Sequence, residues 1–226
     1  MSGGILVFGG NRGTGLEVCR LLAARGEHVT ACVRPSADAR ELDSLGVATC
    51  RGDVLDPVSV AAAFASGPFR AVIDTVGGKR GEPRPDNAGT RNLVDAAAGA
   101  GVRRFIFVTA IGCGDSRGAV GPRVIEFLGP VLDEKTLGED YLRGSGLDWT
   151  ILRPGGMTHD PASGTAIRTE DRMAMGVINR ADLARLVVEC LDDPATVGRI
   201  YHTIDPAITQ AAPLQRGEAL PGGPVR

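Results

Sequence analysis

The run Gly9-Gly10-Asn11-Arg12-Gly13-Thr14-Gly15 constrains this chain more than any other feature, because it stands between an apolar stretch, Ile5-Leu6-Val7-Phe8, and an amphipathic one at 16–25. A strand that turns through spaced glycines into a helix leaves bare N–H groups at the helix N-terminus, where the helix dipole favours an anion. The sharp turn, the approach of phosphate oxygens to peptide nitrogens and tight helix–strand packing each ask for glycine. Glycine spacing alone is a weak signal; the flanking strand and helix give it meaning. The expectation is a dinucleotide diphosphate held at Gly9, Asn11, Arg12, Gly13, Thr14 and Gly15.

Beyond this turn, short β-rich runs alternate with helical patterns. Strands are expected at 4–8, 28–33, 48–51, 71–75, 104–109, 149–153 and 200–203, and helices at 14–25, 37–45, 57–65, 87–100, 130–143 and 180–191. Such alternation predicts right-handed βαβ units. Continuous apolar runs, Phe105-Ile106-Phe107-Val108 being the clearest, predict a sheet buried on both faces. The expected fold class is therefore α/β, a Rossmann-type doubly wound, mainly parallel sheet with helices on both faces, forming one domain over 1–206. Its substrate region is expected mainly at 111–130 and 154–180. The segment 207–226 lacks periodicity and holds Pro213, Pro221, Gly222, Gly223 and Pro224, so it reads as a flexible tail or an oligomer contact.

A chain of 226 residues with 43 % hydrophobic content can bury one substantial core. A net charge of −2 offers no long-range attraction for nucleic acid or an anionic membrane. The expected partner is a small-molecule substrate, with neither nucleic acid nor membrane, and a homo-oligomer is left open. Cysteines at 19, 32, 50, 113 and 190 show no C-x-x-C or metal-ligand spacing, which argues for free thiols, no metal site and a reducing compartment. With no targeting run and no long apolar span, a cytoplasmic location is expected. Of 25 basic residues only Lys79 and Lys135 are lysines.

The choice of nucleotide shows after the second strand, which ends Cys32-Val33-Arg34-Pro35. An acidic residue there would accept from a free ribose hydroxyl; Arg34 instead presents a fork suited to phosphate, so NADP(H) is favoured over NAD(H). Arg12 adds a second cation. In Gly52-Asp53-Val54, Asp53 can accept from the adenine amino group while Val54 packs on the ring. Thr75, Val76 and Gly77 leave room beside the cofactor ribose, and Thr109, Ala110, Pro154 and Gly155 follow later strands into the same crevice, since ligands bind outside the carboxyl ends of the strands.

With these pieces placed, the chain resembles the short-chain dehydrogenase/reductase superfamily, and in it the atypical NAD(P)-binding group related to NmrA-like proteins and biliverdin reductase B, a flavin reductase. Besides the glycine run, Val33-Arg34-Pro35 and Gly52-Asp53-Val54, the resemblance rests on Gly89-Thr90-Arg91-Asn92-Leu93-Val94-Asp95-Ala96-Ala97, Phe107-Val108-Thr109-Ala110-Ile111-Gly112, Leu152-Arg153-Pro154-Gly155 and Ile178-Asn179-Arg180-Ala181-Asp182-Leu183-Ala184. It spans about 4–205. It implies a Ser or Thr after the fifth strand and a Tyr-x-x-x-Lys pair on the next helix. Lys135 aligns with that lysine, but Val131 stands at the tyrosine position. Tyr141 lies six residues past Lys135, about 600° further round a helix and on another face.

The candidate catalytic residues are thus Lys135, Thr109 and His159. Cys113, between two glycines, looks accessible but reads first as an incidental thiol, and Met157, Met173 and Met175 read first as ordinary packing, with an adaptable apolar wall as the alternative. Without a tyrosine acid, the expected reaction is hydride transfer from NADPH to a conjugated or aromatic acceptor of flavin, quinone or enone type. The alternatives are a non-catalytic NADP(H)-sensing regulator and a nucleotide-sugar epimerase or dehydratase.

Overall fold

Alternation along the first strand sends Ile5 and Val7 to one face of a sheet and Leu6 and Phe8 to the other, and all four are buried. That pattern belongs to a strand covered on both sides. The computed structural model describes residues 3–78 and 82–208. The elements in chain order are β1 (Gly4–Phe8), α1 (Gly13–Ala24), β2 (Val29–Val33), α2 (Arg40–Ser44), β3 (Ala48–Arg51), α3 (Pro57–Ala65), β4 (Phe69–Asp74), α4 (Ala88–Gly99) and β5 (Arg104–Val108). They continue with α5 (Pro122–Gly144), β6 (Asp148–Pro154), β7 (Gly156–Thr158), β8 (Ile167–Thr169), β9 (Val177–Asn179), α6 (Arg180–Asp192) and β10 (Arg199–Ile204).

Eight strands form one sheet in the order β3-β2-β1-β4-β5-β6-β10-β8, and β7 pairs with β9 in a small second sheet. All pairings in the large sheet are parallel except that of β8 with β10 at the edge. On one face Val18 and Leu22 of α1 meet Leu183 and Val187 of α6 over Ile5, Val7 and Ile73. On the other, Val60 and Phe64 of α3, Leu93 of α4 and Leu142 of α5 cover Leu6, Phe8, Phe105 and Phe107. The chain winds outward from β1 to β3 and then returns to β4. β1 and β4 stay paired through Phe8 and Asp74, but the connections that leave them run to opposite sides at a switch point, and a crevice opens there.

Three expectations need correction. The helix expected at 130–143 is α5, which starts eight residues earlier, with Gly121 as an extended N-cap and Pro122 at its first position. Pro130 lies inside it on the exposed side; proline removes one helical hydrogen bond but need not end a helix there. The helix expected at 37–45 shrinks to the five residues of α2. Short strands β7, β8 and β9 lie inside the expected substrate region, where runs of three residues carry too little periodicity to register. Residues 209–226, the bulk of the expected tail, lie outside the described residues.

Candidate cofactor groove and active site

The glycine turn is built as its sequence demands. Gly9 and Gly13 adopt φ of +80° and +54°, a region unfavourable to residues with a Cβ. A Cβ on Gly15 would fall 2.3 Å from the Gly9 carbonyl oxygen and 2.5 Å from Thr75 Oγ1, so only glycine lets α1 approach the turn. The Thr75 hydroxyl donates to the Phe8 carbonyl at 2.8 Å, bracing the turn from β4. Arg12 is the N-cap of α1, which has no side-chain cap and no acidic residue in its first turn. Its leading N–H groups and positive dipole end thus face the crevice.

This crevice is a groove of about 960 Å³. Gly9, Asn11, Arg12, Gly13 and Thr14 line it, with Arg34, Asp53 and Val54 on the β2–β3 side, Thr75, Val76 and Gly77 after β4, and Thr109, Lys135 and His159 toward β5 and β6. Gly15, Ala110, Pro154 and Gly155 stand behind its wall rather than on it. Gly15 packs on Gly9, Ala110 joins an apolar cluster with Ile111 and Leu132, the Pro154 carbonyl accepts from Ile111 N, and Gly155 abuts the Gly176 backbone. The chain turns from β6 into β7 at this point, which carries Pro154 and Gly155 away from the opening.

At the β2 end, Arg34 Nη1 lies 2.7 Å from Glu82 Oε2, with both side chains nearly half exposed. A phosphate at Arg34 would therefore exchange with a carboxylate rather than meet a bare cation. Asp53 commits Oδ1 to the N–H of Leu55 at 2.9 Å and so closes a local turn, leaving its other oxygen for a ligand.

Lys135 is largely buried, and its Nζ lies 2.8 Å from Oδ1 of Asp86, whose side chain is fully buried. Nearby, Asp74 accepts from Val76 N at 2.9 Å and from Thr90 Oγ1 at 3.2 Å. Burial pushes the Asp74 carboxyl up to about 6, against the pull of Val76 N–H, Lys135 and Thr90, while the charge of Asp86 raises it further. Sequence reasoning missed Asp86. An acid just before α4 is indistinguishable from a helix cap until its partner on α5 is known.

Thr109 reaches the groove wall, and its hydroxyl donates to Glu139 Oε1 at 2.6 Å. Glu139 also accepts from Arg153 Nε and Nη2 at 3.0 and 2.6 Å, a pair in which both side chains are 2 % exposed. Arg153 continues to Asp115, which Arg172 holds at 3.1 Å from the other side. Cys113 is fully buried rather than accessible, and burial pushes its thiol up to about 11. Met157 lines the groove, while Met173 and Met175 do not.

Neither tyrosine lines the groove. Tyr141 donates to Asp95 at 2.6 Å beneath the guanidinium of Arg91, and Tyr201 lies against that of Arg168. His159 sits at the rim, its Nε2 accepting from Arg180 Nε at 3.3 Å. Among the described residues no cluster could hold a metal ion, and no helix is long and apolar enough to cross a membrane.

Comparison with known proteins places this groove in context. The profile of a family described as NAD(P)H-binding matches residues 9–194. An NAD(P)H azoreductase of Xenophilus azovorans is 30 % identical, over 98 % of this chain and 75 % of its own. YhfK of Bacillus subtilis, an uncharacterized sugar epimerase, is 30 % identical over 87 % of this chain and 92 % of its own. Among solved structures, ChuY, an anaerobillin reductase of Escherichia coli O157:H7, superposes with a TM-score of 0.83 at 37 % identity, covering 92 % of this chain and 99 % of its own.

Proposed function

The chain belongs to the NAD(P)H-binding family, in its atypical short-chain dehydrogenase/reductase group, as an NAD(P)H-dependent oxidoreductase, and we propose that it passes hydride from NADPH to a small conjugated or aromatic acceptor. Flavins, quinones and enones are the acceptor types. The observation that carries this reading is the pairing of a complete nucleotide groove with Val131 one helical turn before Lys135, and no tyrosine on the wall. An isolated ketone needs an acid at its oxygen, worth about 10²- to 10⁴-fold. A conjugated acceptor spreads the incoming charge and can take its proton from solvent. The names azoreductase and anaerobillin reductase, borne by two relatives, agree with acceptors of that kind. An epimerase reading asks for the tyrosine hydroxyl that Val131 replaces.

The groove fits the nucleotide. Its backbone cradle at Gly9, Gly13 and Gly15 is one that any Cβ would strain or fill, and α1 presents an uncapped positive end. Bound NADPH supplies the hydride. The α1 N–H groups at Gly13 and Thr14 hold the diphosphate, Arg34 takes the 2′-phosphate in exchange for Glu82, and Asp53 with Val54 receives the adenine. Lys135, steadied by Asp86, is placed to bond the nicotinamide ribose. Thr109, already donating to Glu139, shapes the wall beside the reacting ring, and His159 offers a rim proton donor. The protein's contribution is to position the partners and keep water out.

Oxidation of NADPH followed by absorbance against a flavin, a quinone, an enone, an azo dye and a simple ketone tests the proposal. Turnover on the conjugated acceptors with little on the ketone is expected. Turnover confined to the ketone, or none above the protein-free rate, would overturn it.

A further inference from the structure

Arg180 opens α6, directly after β9, and a cation at a helix's first position works against the dipole. Helix stability therefore does not explain it. Its side chain leaves α6 for the glycine turn. Nη1 lies 3.4 Å from Thr14 Oγ1 and 3.3 Å from Met157 Sδ, Nε lies 3.3 Å from His159 Nε2, and a Cβ on Gly13 would meet Nη1 at 3.5 Å. None of these partners is a carboxylate. Among the described residues no carboxylate lies within ion-pair distance of Arg180, whereas Arg34 has one and Arg153 has two. Arg12, on the same groove, is a like charge, and burial together with that charge disfavours the guanidinium's ionised form. Two cations and an uncapped helix end converge with no anion of the described residues between them. An anion is the partner that balances such a group.

We propose that Arg180 is a cofactor-gripping residue that reaches across the groove from α6 and pairs with the nucleotide's diphosphate on the side opposite the α1 amides. This rests on the nucleotide reading above. The diphosphate is favoured over an acidic group on the acceptor because Nη1 touches Thr14 and overhangs Gly13, at the start of α1. The acceptor belongs nearer Thr109 and Lys135. Thr14, Met157 and His159 fix the guanidinium's height over the turn, so its bonds to phosphate oxygens would form with little reordering.

The test is calorimetric titration of the wild type, Arg180→Gln and Arg180→Lys with NADPH and with adenosine 2′-monophosphate, which lacks the diphosphate. Arg180→Gln should bind NADPH about 10- to 100-fold more weakly, in line with the loss of a charge-assisted pair, and adenosine 2′-monophosphate within about two-fold of wild type. Arg180→Lys should recover part of the loss. Unchanged NADPH affinity in Arg180→Gln, or equal losses for both ligands, overturns the assignment. So does a raised KM for a carboxylate-bearing acceptor with NADPH affinity intact, which would give Arg180 to the acceptor. A wild type that binds neither ligand defeats the nucleotide reading itself, a result distinct from the variant's.

Discussion

Replacing Lys135 by methionine keeps an unbranched apolar stem beside the Phe107 ring but removes the ammonium 2.8 Å from Asp86. Asp86 is then a carboxylate with no exposed surface whose remaining cation is the Arg84 guanidinium at 4.0 Å, and Asp74, which Lys135 also holds down, loses part of its support. Breaking a buried pair from one side costs about 3–5 kcal/mol. For a domain of this size each kcal/mol moves Tm by about 2–4 °C, so Lys135→Met should melt about 6–20 °C below wild type at neutral pH. Adding Asp86→Leu removes the stranded charge, and the double variant should regain most of the loss, as buried pairs replaced on both sides often do. Thermal melts of the wild type, both single variants and the double variant complete the cycle and isolate the coupling. NADPH affinity should stay impaired in both chains lacking Lys135, which separates contact with the ribose from stability. If Lys135→Met melts within about 3 °C of wild type, or Asp86→Leu gives no rescue, the compensated buried pair is refuted.

Arg34→Gln should reduce the preference for NADPH over NADH by about 10-fold or more, read from the ratio of kcat/KM values, because a charge-assisted phosphate contact is worth about 1.5–3 kcal/mol. An unchanged ratio would remove Arg34 from phosphate recognition. Gly15→Ala drives a methyl to 2.3 Å from the Gly9 carbonyl; nucleotide binding should be lost, with destabilisation of about 1–3 kcal/mol by overpacking, and a variant that binds NADPH normally would contradict the packing argument. His202, fully buried on β10, shares Nδ1 with the Ala174 carbonyl and has no partner for Nε2; burial lowers its pKa, and Arg153 and Arg172 lower it further while Asp115 opposes them. Its folded pKa thus lies below the unfolded value of about 6.5, so stability is complete above that pH and falls as acidification protonates the unfolded chain first. His202→Asn should lose this contribution to the slope of Tm between pH 5 and 7, and an unaltered slope would show that His202 does not set it.

The sequence by itself determined the α/β architecture and the glycine turn between β1 and α1, because each is local. The continuous apolar run of β1 and the glycines at 9 and 13, which adopt φ of +80° and +54°, need no distant partner to be legible. Tertiary structure alone decided in what company the groove's side chains stand. Glu82 sits at Arg34, Asp86 holds Lys135, Glu139 takes the Thr109 hydroxyl, and Arg180 arrives at Thr14 from 166 positions away. Pro130 likewise signals a helix boundary locally, yet α5 runs through it because an exposed turn tolerates the missing hydrogen bond. Pairing of charges is a property of where elements pack. Burial then sets how strongly each pair is felt, and neither packing nor burial is written in the spacing of residues along the chain.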